Sequence, residues 1–168
     1  ATAFQTTVED YQVSIFDGAT AFFVQNAAEV ESQGIEMDLQ WSPLDGLIIS
    51  VAGTYLDAAY TDFPNAPCWT VNGTDPVDRG NCIGRGTADA FRDASGDTNM
   101  FSPEWAYNIN IDYRMPLGGS LEARGTFNMN YSDEFFAASD LDVIYALQES
   151  YTMYDVRLSL GHQDGTWD

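Results

Sequence analysis

The chain has 168 residues and contains no lysine. Its six basic residues are all arginine, against 26 acids, and the formal net charge is −20. A nucleic-acid binder needs a basic face to neutralise phosphate, so no nucleic-acid partner is expected. Helix formers are sparse and no run of 18 apolar residues occurs, which excludes a helical membrane span. No charged-then-apolar leader opens the chain, so any secretion signal is expected outside it. Histidine occurs once, at position 162, and cysteine twice, at 68 and 82. Two cysteines in a Gly/Asn/Asp/Pro-rich loop predict a disulfide and an oxidising compartment, whereas a zinc site would want four closely spaced ligands.

What the chain has is period-two alternation, the mark of strands whose successive side chains leave on opposite faces. From Trp105 the row Trp105, Tyr107, Ile109, Ile111, Tyr113 and Met115 alternates with small or polar residues. After Pro116-Leu117-Gly118-Gly119-Ser120 the alternation restarts with Leu121, Ala123, Gly125, Phe127, Met129 and Tyr131. Similar rows run through Tyr11, Val13 and Ile15, ended by Asp17-Gly18, and through Ile35, Met37, Leu39 and Trp41. Leu47, Ile49, Val51, Gly53 and Tyr55 follow, and Tyr154, Val156, Leu158 and Leu160 close the series. These rows predict an all-β, antiparallel fold of six strands and the threshold of a seventh after His162.

Short turns follow Trp41, Met115 and Leu160, and the connections between them include one of about forty residues and one of about a dozen. Only the hairpin at Asp17-Gly18 lacks a long loop in this reading. Short turns on one rim and long loops on the other fit a transmembrane barrel. Trp105 to Met115 would span roughly 36 Å at about 3.3 Å per residue. Tilted by about 40°, that is a height near 28 Å, against an apolar band of roughly 25 Å in such barrels. Aromatic residues sit toward the ends of the rows and aliphatics between them, as two interface girdles require. The rows holding Ile35, Met37, Leu39, Trp41, Ile49, Val51, Trp105, Tyr107, Ile109, Ile111, Tyr113, Phe127, Met129, Val156 and Leu158 are therefore expected to face lipid. The polar rows are expected to line a lumen, with Arg114, Arg124 and Arg157 paired to Asp112, Glu122 and Asp155. The alternative is a secreted, soluble β-sandwich binding module stapled by one disulfide.

The stretch NAAEVESQGIEMDLQWSPLDGLIISVAGTYLDAAYTDF, residues 26–63, resembles the late barrel strands of TonB-dependent outer-membrane receptors. SPEWAYNINIDYRMPLGG (102–119) is similar to their next down-strand, and residues 151–160 to the strand before the last hairpin. The resemblance implies a 22-stranded barrel in the outer membrane of a Gram-negative bacterium, with an N-terminal plug. It implies active import of a scarce ligand, a ferric siderophore first and cobalamin or a glycan next, driven by the TonB energy-coupling complex through the N-terminal part. No plug or TonB box is recognised here, so residues 1–168 are expected to be a C-terminal-side portion of one barrel domain. A passive porin is the other membrane reading.

No enzyme is expected, and no cofactor or metal. His162 sits at a turn, far in sequence from any Ser/Asp grouping that would make a nucleophilic site. Asp93-Ala-Ser-Gly-Asp97 lacks the oxygen spacing of a calcium loop. The loop from 61 to 102, expected to be extracellular, gathers Arg79, Arg85 and Arg92 with Trp69 and Phe91. Guanidinium binds carboxylates and stacks on rings, so these five are the candidate ligand contacts, suited to an anionic or aromatic ligand.

Overall fold

In the computed structural model, the described residues are 1–16, 22–26, 29–68, 82–84, 91–138 and 146–162. They contain twelve strands and no helix. In chain order these are β1 (Thr2–Glu9), β2 (Gln12–Phe16), β3 (Phe22–Asn26), β4 (Glu29–Leu44), β5 (Leu47–Asp62) and β6 (Ala66–Pro67). Next come β7 (Phe91–Arg92), β8 (Trp105–Gly118), β9 (Leu121–Ser132), β10 (Phe135–Phe136), β11 (Leu147–Gln148) and β12 (Tyr151–His162). Six of them form one antiparallel sheet in the order β1-β4-β5-β8-β9-β12, an up-and-down meander. The sheet is open, with β1 and β12 at its edges. Strands β4 and β5 run 16 residues each, far beyond the roughly 5–6 usual in soluble sheets.

The two connections β4–β5 and β8–β9 are tight turns at one end of the sheet. In the first, Gly46 takes φ +79°, and a Cβ there would lie 2.2 Å from the Arg114 carbonyl oxygen. The Gly46 carbonyl in turn accepts from the Arg114 amide at 2.8 Å, tying the turn to β8. The other three connections, 10–28, 63–104 and 133–150, all lie at the opposite end and carry the small pairs β2–β3, β6–β7 and β10–β11.

One expectation needs correction here. Tyr11, Val13 and Ile15 do not belong to the main sheet: Val13 and Ile15 lie in β2, which pairs only with β3. The first long strand is Thr2–Glu9, which pairs with β4 from Thr2↔Glu36 to Glu9↔Glu29. A short hairpin in a connection alternates just as a long strand does, so periodicity marked a strand without placing it. The connection from β1 to β4 is therefore also long, and the sorting of turns and loops has no exception. Asp17-Gly18 and the start of a seventh strand lie outside the described residues.

Register carries the rows across the sheet. Ile35 faces Tyr55, Leu39 faces Val51 and Trp41 faces Ile49. Ile49 then meets Ile111, Val51 meets Ile109 and Tyr55 meets Trp105. Ile111 meets Phe127 and Ile109 meets Met129, which lead to Val156 and Tyr154. Directly opposed residues share a face, so every expected lipid-facing residue lies on one side of the sheet. No second layer covers it among the described residues: Trp41 is 58% exposed, Val156 69% and Leu158 81%.

Candidate functional site

The polar face is built from rungs. Asn108 donates to Asn130 Oδ1 at 2.8 Å, and Asn110 to Asn128 Oδ1 at 2.6 Å. One step nearer the turns, Asp112 accepts from Arg124 and from the Thr126 hydroxyl, with Arg114 3.6 Å away. Two of the three expected lumen arginines thus share one carboxylate. Arg157 does not join them.

The apolar face ends sharply. At the loop end, Tyr55 and Trp105 lie 4.8 Å apart between ring centroids, and Tyr107 and Tyr131 stack at the same distance. Beyond Ile35 the same row turns polar: Gln33 donates to Asp57 at 3.0 Å and Gln5 to Glu31 at 3.2 Å. Amide–carboxylate pairs replace aliphatic contacts within one residue pair of Tyr55.

Beyond that edge, on the polar face, the connections pack together. Val13, Val30, Tyr60, Phe63, Ala66 and Ala94 are buried in one cluster, with Tyr11, Met100 and Phe136 against it. Val30 and Tyr60 are register partners whose side chains share the face of the asparagine rungs. All three long connections contribute, so the loop end is a packed cap over the polar side. Burial, with Tyr11 beside it, pushes the Tyr60 phenol up to about 12, against a lowering effect of the Met100 backbone. The Tyr60 hydroxyl is buried, and the Met100 backbone near it does not meet hydrogen-bond geometry.

Cys68 and Cys82 are bonded, as expected. Phe91 and Arg92 form β7 against Ala66–Pro67. Phe91 is exposed, whereas Arg92 is held by Asp97 at 2.5 Å and its side chain is only 17% exposed. Trp69, Arg79 and Arg85 lie outside the described residues. The Asp93–Asp97 stretch is a tight turn: Ser95 donates its amide to Asp93, and its oxygen accepts from the Phe63 amide at 2.9 Å. Ser95 holds the Asp93 carboxyl below its usual range through hydroxyl and amide.

A cleft of about 400 Å³ opens where β5 and β8 diverge, lined among others by Tyr55, Asp57, Glu104, Asp133, Glu134 and Phe135. The sequence reading missed this cleft and the cap core. Tyr60, near the end of β5, and Phe63, just past it, are the two large side chains of that core.

A long-stranded open meander, with one bare apolar face and its loops sorted to one end, is a section of barrel wall. The sequence profile described as TonB dependent receptor-like, β-barrel, matches residues 1–167. This chain belongs to that family. TonB-dependent receptors are transport receptors of the Gram-negative outer membrane rather than enzymes. A solved structure of similar fold is the ferric yersiniabactin uptake receptor FyuA from Yersinia pestis, with a TM-score of 0.58 at 15% identity. The match covers 96% of this chain and 19% of that one, so the chain spans about a fifth of that receptor's length. At such identity the likeness is one of fold, and it fits the open sheet: one wall section does not close a barrel.

Proposed function

We propose that this chain is part of the wall of an outer-membrane receptor that binds a scarce ligand and imports it into the periplasm with energy relayed by TonB. The carrying observation is the uncovered apolar face, crossed by aromatic pairs and giving way to amide–carboxylate pairs at Gln33 and Asp57. A face of that kind fits lipid, with rings at the interface where one side is apolar and the other wet. In this reading the asparagine rungs and Asp112 line the lumen, and the loop end lies outside the cell. The loop from 61 to 102, pinned by its disulfide, helps capture the ligand through Phe91 and the segment holding Trp69, Arg79 and Arg85. Loops far longer than the usual connection are often functional. A ferric siderophore is the leading ligand class, with cobalamin or a glycan next.

Uptake by the full-length receptor in cells with and without the energy-coupling partner tests this. Uptake should stop when the partner is removed. Uptake that continues would make the protein a passive porin.

A further inference from the structure

On the apolar face, two neighbouring rungs cross β1, β4 and β5. The first is apolar: Ala3 is the register partner of Ile35, and Ile35 of Tyr55. The next, toward the loop end, is polar: Gln5 partners Gln33, and Gln33 partners Asp57. Together they line a groove of about 520 Å³, in which Ile35 stays 52% exposed beside the small Ala3. Both walls come from three adjacent strands of this chain.

Tyr55 packs against Trp105 at the rim of the apolar face, where rings mark a membrane interface. The polar rung lies two residues farther along, roughly 7 Å at about 3.3 Å per residue. That is headgroup depth, a layer of about 5–7 Å on each side of the hydrocarbon. In the rung the Gln33 amide donates to Asp57 at 3.0 Å, and just beyond it Gln5 donates to Glu31 at 3.2 Å. Each pair leaves the amide oxygen and a carboxylate oxygen able to accept, against one N–H able to donate. Acceptors at this depth need donors, because a bare one is costly away from water. The sheet has no guanidinium on this side for a lipid phosphate: Arg114, Arg124 and Arg157 share the face of the asparagine rungs. Lysine is absent from the chain.

We propose that this groove seats a saccharide-headed lipid of the outer leaflet, with sugar hydroxyls on the polar rung and an acyl chain along Ala3, Ile35 and Tyr55. The rung crosses three strands, roughly 10 Å at about 4.8 Å per step. A sugar donates and accepts along that whole row. An ammonium headgroup answers one set of acceptors, and a choline headgroup none. The proposal rests on the transport reading above, which sets this face in lipid and the loop end outside the cell.

Native mass spectrometry of the full-length receptor in detergent tests this. The probes are digalactosyl diacylglycerol, phosphatidylethanolamine and phosphatidylcholine with matched chains. The sugar lipid should be retained most tightly. Gln33→Ala/Asp57→Ala should lower its affinity about tenfold, which corresponds to one or two hydrogen bonds. Ala3→Trp, which fills the groove and leaves the polar rung intact, should weaken it similarly. Leu158→Ala, on the same face near the far edge of the sheet, should change nothing. Heat-modifiable gel migration checks that each variant barrel is intact. Equal retention of the probes, a preference for ethanolamine, or unchanged binding in the groove variants would overturn the proposal. So would equal competition by free digalactosylglycerol, which would make the occupant a soluble glycan. Uptake with and without the coupling partner separates the two ideas. Coupled uptake with no sugar preference overturns only the groove, whereas uncoupled uptake overturns the transport reading itself.

Discussion

Arg124 places both its Nε and Nη2 on one oxygen of Asp112, at 2.8 and 2.6 Å, reaching diagonally from β9 to β8. The Thr126 hydroxyl donates to the same oxygen at 3.2 Å. Asp112 is the hub, because its side chain is 14% exposed whereas that of Arg124 is 47% exposed. Asp112→Asn in the full-length receptor should therefore cost about 1–3 kcal/mol in urea unfolding from lipid, since it strands several donors at once. Arg124→Gln should cost less. Equal losses would remove Asp112 from the centre of the network.

On the opposite face, Ile109→Arg or Ile111→Arg should cost roughly 2–4 kcal/mol near the bilayer midplane. Asn108→Ser, which loses the donation to Asn130 on the other face, should cost about 1 kcal/mol. Similar tolerance on both rows, or a fragment that is monomeric and cooperative without detergent, would favour the soluble sandwich.

Gly34 sits under the ring of Phe4. A Cβ added there would lie 2.2 Å from the Tyr55 carbonyl oxygen and 3.0 Å from the ring. Gly34→Val should destabilise the β1–β4–β5 pairing by about 1–3 kcal/mol, the usual cost of overpacking. Phe4→Ala should not rescue it, because the tighter conflict is with backbone. Rescue would place the strain in the ring instead.

Tyr60 makes the cap sensitive to high pH. Its pKa is raised to about 12 from 10.0, so the folded cap holds the proton more tightly than the unfolded chain does. The stabilisation is fully present below pH 10 and is lost as pH climbs to about 12. The protection of residues 58–63, taken against free-peptide exchange at the same pH, should fall over that window, and Tyr60→Phe should flatten the fall. Because the hydroxyl makes no hydrogen bond of good geometry, the variant should be about as stable as the parent at neutral pH.

The disulfide closes 15 residues counting both cysteines, for which chain entropy gives about 3 kcal/mol. Reduction should loosen the loop while leaving heat-modifiable migration of the barrel unchanged. Replacing 70–80 with a short Gly/Ser linker, which keeps the bridge, should weaken ligand binding without affecting assembly. Unchanged affinity would take that segment out of the site.

The long hairpins were legible because both faces of each strand obey a simple rule, apolar on one side and polar on the other. Thr2–Glu9 escaped because its register partners at Ser32, Gly34 and Gln33 lie largely beyond the apolar band. With Gln5 and Glu9 on one row and threonines among Phe4 and Val8 on the other, neither face reads as apolar. The cap core was hidden for a different reason. Val13, Val30, Tyr60 and Ala94 are single residues far apart in sequence, and no local period joins them.

The asparagine rungs repeat every two residues, and a repeating mark cannot number itself. If β9 slid by two residues against β8, each face would keep its character and one amide rung would re-form, Asn110 with Asn130 or Asn108 with Asn128. What such a slide would break are the features that occur once. The partner of Tyr107 at one rim would become Asp133 or Met129 in place of Tyr131, and Asp112 near the other rim would face Asn128 or Arg124 in place of Thr126. The amides supply the rungs of the ladder, and the two ends supply the zero of its scale.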